Sequence, residues 1–279
     1  MVQDYPRIMT LAQWTGPARW QAELPHTRDH HAFLWITRGQ GRCLLEGLRR
    51  GVGVHNALVI PAGTLFATDL GKQGFGLVCT IPPDATVPMP DTAQQLRVRD
   101  AQAQAELATI LESMQREDNT QRHFHDEAMS AYAALLGVWL RRTMIDAPTP
   151  PRPPASERLV RAYAALIERD HASGKPMADY AAALGVTPTH LTRTCRTAAG
   201  MSAAQLLTQR IVHAARILLE QSDRPFNLVA AMLGFRSAAY FSRFVLHHTG
   251  ATPTQLRRNA GATEAKTPAS PTTTFRGVG

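Results

Sequence analysis

A chain of 279 residues, 44% hydrophobic, is large enough for about two domains with real cores. Its formal net charge of +8 is unevenly placed: residues 1–155 carry 15 basic and 15 acidic side chains, whereas residues 156–258 carry 13 and 6. Three cysteines, an odd number with no CxxC spacing, fit a reducing cytoplasm, and no apolar run approaches membrane-spanning length, so a cytoplasmic protein with no membrane partner is expected.

From residue 24 to 90 short apolar runs alternate with glycine. The runs are Phe33–Thr37, Cys43–Glu46, Leu58–Ile60, Leu65–Thr68 and Phe75–Ile81. Many short strands at regular spacing predict a barrel or a double-sheet roll. Residues 92–145 contain no proline. Leu107, Ile110, Leu111 and Met114 recur at helical spacing, as do Met129, Tyr132, Ala133, Leu136, Trp139 and Leu140. Two long amphipathic helices are expected, broken near Glu117–Thr120. The run APTPPRPPAS at 147–156 suits neither a helix nor a central strand and reads as a semi-rigid linker.

Beyond the linker a short pattern occurs twice. Ala181-Ala182-Ala183-Leu184-Gly185-Val186 returns as Ala230-Ala231-Met232-Leu233-Gly234-Phe235, Leu191-Thr192-Arg193 as Phe241-Ser242-Arg243, and Gly200-Met201-Ser202 as Gly250-Ala251-Thr252. Each copy reads as helix, sharp turn at glycine, helix, then glycine as a stop. That is the outline of a helix-turn-helix, whose second helix can enter the major groove of DNA. Thr187-Pro188 and Ser237 predict the starts of the two second helices, Pro188–Ala199 and Ala238–His248. The helix between the copies, over about 203–221, is roughly 28 Å long at ~1.5 Å per residue. With its flanking units it can separate two readers by about one DNA turn. The charge surplus falls on this region, and Arg outnumbers Lys 27 to 3 in the chain, which suits bidentate contacts to phosphate and guanine.

The run LGF-RSAAYFSRFV…GATPTQLR resembles the signature of the AraC-type family of bacterial transcription regulators. Gly234, Phe235, Tyr240, Phe241, Ser242, Arg243, Gly250, Thr252, Pro253 and Arg257 carry the match, with Leu191, Arg193, Gly200, Ser202 and Arg210 in the first copy. HAFLWITRGQG and Leu58–Gly63 are similar to that family's cupin-like sensor domain. The sequence departs from the pattern at Cys195, Leu246, Ala238 and Ala239.

The resemblance implies an α+β fold: an amino-terminal cupin-like β-barrel with long helices and a carboxy-terminal all-α domain with two helix-turn-helix units. The expected organisation is a sensor or effector-binding domain over 1–90, a helical dimerisation segment over 91–146, and the Pro-rich linker over 147–156. The double helix-turn-helix domain follows over 157–258, with a disordered tail over 259–279. Implied partners are double-stranded promoter DNA, a second copy of the chain, a small-molecule effector, and RNA polymerase if the regulator activates.

The residues expected at DNA are Thr189, Thr192, Arg193 and Arg196 in the first reader and Ala238, Ala239, Ser242 and Arg243 in the second. Arg193 and Arg243 lie between core positions and are assigned to bases, Arg196 to phosphate. Phe33, Trp35 and Phe66 are candidate walls of an effector pocket, although aromatic strand residues are more often ordinary core.

No metal or other cofactor and no catalysis are expected. A metal site needs about three convergent ligands. His26, His30, His31 and His55 lack the HxH…E spacing of metal-binding cupins, and His30 and His31 point to opposite faces of a strand. The rival reading, a cupin-type metalloenzyme with a helical appendage, requires a ligand triad or a nucleophile–base pair, and neither is evident.

Overall fold

The computed structural model describes residues 5–71, 73–146 and 153–264, the last four by backbone alone. Positions 147–152 of the expected linker and 265–279 of the expected tail lie outside the described residues. Two compact units emerge: Met1–His171 with Lys175–His213, and Ala172–Gly174 with Ala214–Gly279.

The first unit begins with β1 (Arg7–Thr10), α1 (Leu11–Thr15) and α2 (Trp20–Glu23). There follow β2 (His31–Arg38), β3 (Gly41–Leu45), β4 (Leu48–Val52), β5 (Asn56–Ile60), β6 (Phe66–Asp69), β7 (Phe75–Ile81) and β8 (Gln94–Arg97). Five strands form an antiparallel sheet in the order β1-β7-β2-β5-β8, and three form a second in the order β4-β3-β6.

The two-residue period of a strand decides what each face buries. Leu34, Ile36, Leu58, Ile60 and Val78 of the larger sheet meet Cys43, Leu45, Val52 and Phe66 of the smaller one. The opposite face of the larger sheet presents Phe33, Trp35, Ala57, Val59 and Cys79 to α3 (Ala101–Thr120) and α4 (His125–Asp146). Trp139 of α4 sets its ring edge-on to Phe33, with centroids 5.8 Å apart, and donates its indole N–H to Ala103 O at 2.9 Å. A leucine-sized side chain taken from water in such a core is worth about 1.5–3 kcal/mol.

The outer face of the smaller sheet is covered as well. Leu44, Leu48, Leu65 and Ala67 share a core with Val160, Tyr163, Ala164 and Ile167 of α5 (Ala155–Asp170). That core also takes Leu191, Cys195 and Ala199 of α7 (Pro188–Ala199). Gly47 lets α5 approach: a Cβ there would stand 2.8 Å from the Val160 side chain, and its φ of +78° disfavours other residues. Arg161 completes the seam with an ion pair to Glu46 at 2.9 Å. The first reader is therefore built directly onto the sheet region.

Of the two expected forms, a barrel or a double-sheet roll, the described strands make two facing sheets and not a closed barrel. Among the described strands no ladder joins the two sheets into a ring, so β4 and β8 remain edges. Between them a side chain substitutes for a ladder: Gln95 donates to Gly51 O and to Asn56 Oδ1, both at 2.7 Å. Strands β1, β4 and β8 were absent from the expected set, and β8 lies where the helical segment was expected to begin.

The second unit holds α9 (Phe226–Met232), α10 (Ala238–Thr249) and α11 (Pro253–Glu264); α8 (Ala203–Glu220) begins in the first unit and ends in the second. Its core is Ala215, Leu219, Val229, Ala230, Leu233, Phe241, Val245 and Leu256. Helix α11 continues past Arg258, where the tail was expected to start.

Candidate nucleic-acid interface

In the first reader α6 (Met177–Ala183) ends in a turn at Gly185, whose φ is +66°. Val186 N–H returns to Ala181 O at 3.0 Å and closes the turn. The Thr187 side chain accepts from His190 N–H at 3.2 Å, Pro188 occupies the first helical turn, and Gly200 ends α7 in the left-handed region. Leu191, Thr194, Cys195 and Ala199 are buried, which fixes the rotation of α7. Thr189, Arg193 and Arg196 consequently stand exposed on one face at spacings of four and three, with Thr192 half-buried at its margin. His190 shares that face, its Nδ1 3.3 Å from Arg193 Nη2.

The second reader repeats the construction. Gly234, at φ +75°, turns α9 into α10, and a Cβ there would lie 2.3 Å from Gly174 N, so both conformation and packing require glycine. Ser237 accepts from Tyr240 N–H at 3.2 Å and Gly250 stops the helix. Phe241 and Val245 are buried, leaving Ala239 and Arg243 exposed while Ala238 and Ser242 are half-buried. Two exposed residues of this face, Tyr240 and Leu246, were not among the expected DNA contacts. Tyr240 stands 56% exposed beside the buried Phe241; the 100° step between consecutive helical residues was the available signal.

The arginines sort into two groups. Arg210 is 8% exposed and holds Glu168 through Nε–Oε1 at 2.6 Å and Nη2–Oε2 at 3.1 Å. Arg216 pairs with Glu220 at 2.9 Å, and Arg257 lies over the Phe226 ring at 4.4 Å while donating to Arg224 O. These belong to the scaffold. Arg193, Arg196, Arg236 and Arg243 are exposed and form no ion pair among the described residues. Arg193 and Arg196 on α7 and Arg243 on α10, with Arg236 in the turn before α10, have no carboxylate to neutralise them among the described residues and suit phosphate oxygens and guanine edges.

Elsewhere the sequence candidates separate. Phe33 and Trp35 belong to the core beneath α3 and α4, whereas Phe66 lies between the sheets, stacked on Trp14 with centroids 5.5 Å apart. The pleat thus assigns them to two cores and not to one cavity. The histidines are dispersed as well: His26 stacks on His213, His30 lies 3.0 Å from Asp29, the His31 ring accepts from Ala62 N–H, and His55 stacks on Trp35. Among the described residues no three ligating side chains gather as a metal set. Nor is any described helix long and apolar enough to cross a membrane.

Residues 180–259 match a family model described as a helix-turn-helix domain. Comparison with curated proteins gives no match. ToxT from Vibrio cholerae is 10% identical to this chain, over 92% of it and 96% of ToxT, at a TM-score of 0.40. The C-terminal domain of AraT, a response regulator from Geobacillus stearothermophilus, is 27% identical over 39% of this chain and 88% of its own, at 0.35. A transcriptional regulator with an AraC-type DNA-binding domain from Chromobacterium violaceum is 23% identical over 38% and 94%, at 0.34.

Proposed function

We propose that this chain, whose residues 180–259 are an AraC-type helix-turn-helix domain, is a transcription regulator that reads promoter DNA with two readers and answers to an effector in its amino-terminal unit. The observation that carries the reading is the sorting of the arginines. Arg210, Arg216 and Arg257 are held within the scaffold, and those on the outer faces of α7 and α10 form no ion pair among the described residues. In this reading Thr189, Thr192, Arg193, Arg196, Ala238, Ala239, Ser242 and Arg243 meet the duplex. Arg196 positions the protein on phosphate, and Arg193 and Arg243 read bases.

Effector control draws on the shared core between the sheets and the first reader. Because Leu44 and Leu48 pack with Val160 and Leu191, a change in sheet geometry reaches α7 through direct contact. Dimer formation draws on α4. Ala131, Leu135, Val138, Arg142 and Ile145 advance in alternating steps of four and three, and Leu135 and Ile145 are 52% and 81% exposed. That spacing, with two exposed apolar side chains, supports a seam with a second copy.

Selection of bound fragments from genomic DNA by the full chain tests the reading. Enrichment of a bipartite site, bound with an affinity that falls steeply as salt rises, is the expected result. Equal recovery of all fragments, or no binding at low salt, overturns it.

A further inference from the structure

The two sheets do not close at the β4 and β8 edges, and a cleft of about 870 Å³ opens there. We propose that this cleft binds a small organic anion, a molecule carrying a carboxylate or phosphate group. The inference deepens the effector reading above and rests on it for its regulatory meaning.

Charge supplies the first argument. Arg42, Arg97 and Arg99 line the cleft together with His55, Asn56 and Gln104, and no Asp or Glu among the described residues lines it. None of the three arginines forms an ion pair among the described residues. This contrasts with Arg50 on the adjoining strand, which reaches Glu157 at 3.8 Å, and with Arg161 on Glu46. Gathering like charges in a concavity raises the local potential, and an anion relieves that repulsion. Guanidinium groups take carboxylate or phosphate through paired N–H donors.

Register supplies the second. Arg97 lies opposite Asn56 in the β5–β8 ladder. Asn56 and Leu58 share one face of β5, so Arg97 is on the inter-sheet face at the mouth. Gln95, two residues earlier, donates to Gly51 O and to Asn56 Oδ1 and so ties together two residues of the lining. The volume is that of small-molecule sites, whose few polar groups fix orientation.

The placement of His55 supplies the third. His55 sits at φ +61° in the turn between β4 and β5, a region that histidine enters more readily than most residues. It is held by two backbone hydrogen bonds, from its N–H to Ile36 O at 2.9 Å and from Val98 N–H to its carbonyl at 3.0 Å. Its ring stacks on Trp35, with centroids 5.9 Å apart and planes at 13°. Gln104 Nε2 lies 3.4 Å from Nδ1, which leaves Nε2 as the nitrogen free to meet a ligand.

The test uses the full chain with inorganic phosphate, citrate and benzoate as separate probes at constant ionic strength, followed by calorimetric titration and thermal unfolding. At least one probe should bind and raise the unfolding temperature. Phosphate alone indicates a phosphate ester, and citrate or benzoate a carboxylate. Arg97→Gln combined with Arg99→Gln, both exposed, should unfold like the wild type without probe and weaken the probe by at least about tenfold. No binding by any of the three probes, or equal binding by the variant, overturns the proposal. So does a loss of DNA affinity by the variant without probe, because the arginines would then be DNA contacts. The titration contains no DNA: an anion that binds without changing DNA affinity sustains the site and removes its role as effector.

Discussion

The His26 and His213 rings stack at 4.5 Å with planes only 10° apart, joining the segment before β2 to helix α8. Both are buried. Burial, with the Arg28 and Arg210 charges adding, holds the His26 pKa down to about 3, although its hydrogen bond to Leu24 O opposes the shift. Burial and then His26 itself lower His213. In the unfolded chain both titrate near 6.5, so between that value and the folded pKa the unfolded state binds more protons. Their stabilising effect is complete above about pH 6.5 and declines as pH falls toward 3. Moving from pH 6.5 to 5 should remove about 2 kcal/mol per histidine. Urea unfolding at pH 7.5 and 5.0 should show the loss, and His26→Phe should reduce it. A variant with the wild-type pH slope contradicts this account.

Glu168 and Arg210 lead to a second prediction. Their side chains are 16% and 10% exposed, and Thr27 adds a hydrogen bond to Glu168 Oε2 at 3.1 Å. Removing one partner strands the other's charge, so Arg210→Ala should cost roughly 3–5 kcal/mol. Glu168→Gln with Arg210→Met should recover much of that loss. Denaturation midpoints of the single and double variants decide it; equal losses in both would mean that shape, not charge, is at stake.

The legible parts of the fold are those written in local pattern. Gly185 and Gly234 mark both turns because glycine enters their left-handed φ at least cost, and Thr187, Ser237, Gly200 and Gly250 delimit α7 and α10. The break between α3 and α4 falls just past the expected Glu117–Thr120. Strands β4 (LRRGV) and β8 (QQLR) escaped because edge strands are polar and lack the apolar alternation that announces a buried strand. Closure depends on which edges pair, which leaves no local trace. The same holds for α5, whose contact with Leu44 and Leu48 joins positions more than a hundred residues apart. Of the candidate site, the exposed arginines were legible from helical period, whereas the cleft at Arg97 is assembled from β3, β4, β5 and β8 and has no sequence motif.

If α4 forms the seam between two copies, a charge at its most exposed apolar positions should separate them. Leu135→Glu together with Ile145→Glu removes no core side chain, so folding should be retained. Sedimentation of the full chain should change from dimer to monomer at micromolar concentration, and DNA affinity should drop because half the phosphate contacts are lost. A wild-type monomer, or a variant that remains dimeric, moves the interface elsewhere.

The last prediction concerns the unequal faces of the two readers. Helix α7 offers Thr189, Thr192, Arg193 and Arg196, all able to hydrogen-bond, whereas α10 offers Ala238, Ala239, Ser242 and Arg243. Alanine can touch a thymine methyl but cannot read a donor–acceptor pattern, and Ala238 is half-buried besides. The first reader should therefore specify more bases than the second. Arg193→Ala should cost about 1–3 kcal/mol at the preferred site and relax selection at one position. Arg196→Ala should weaken all sequences alike and lower the salt slope by about one. Arg243 is the only charged side chain among the four α10 contacts, so Arg243→Ala should erase most of that half-site's preference. Binding of each variant to a randomised duplex library measures all three effects. A wild-type site whose second half is the more selective would reverse the assignment and point to Tyr240, exposed beside Ala239, as the stronger reader.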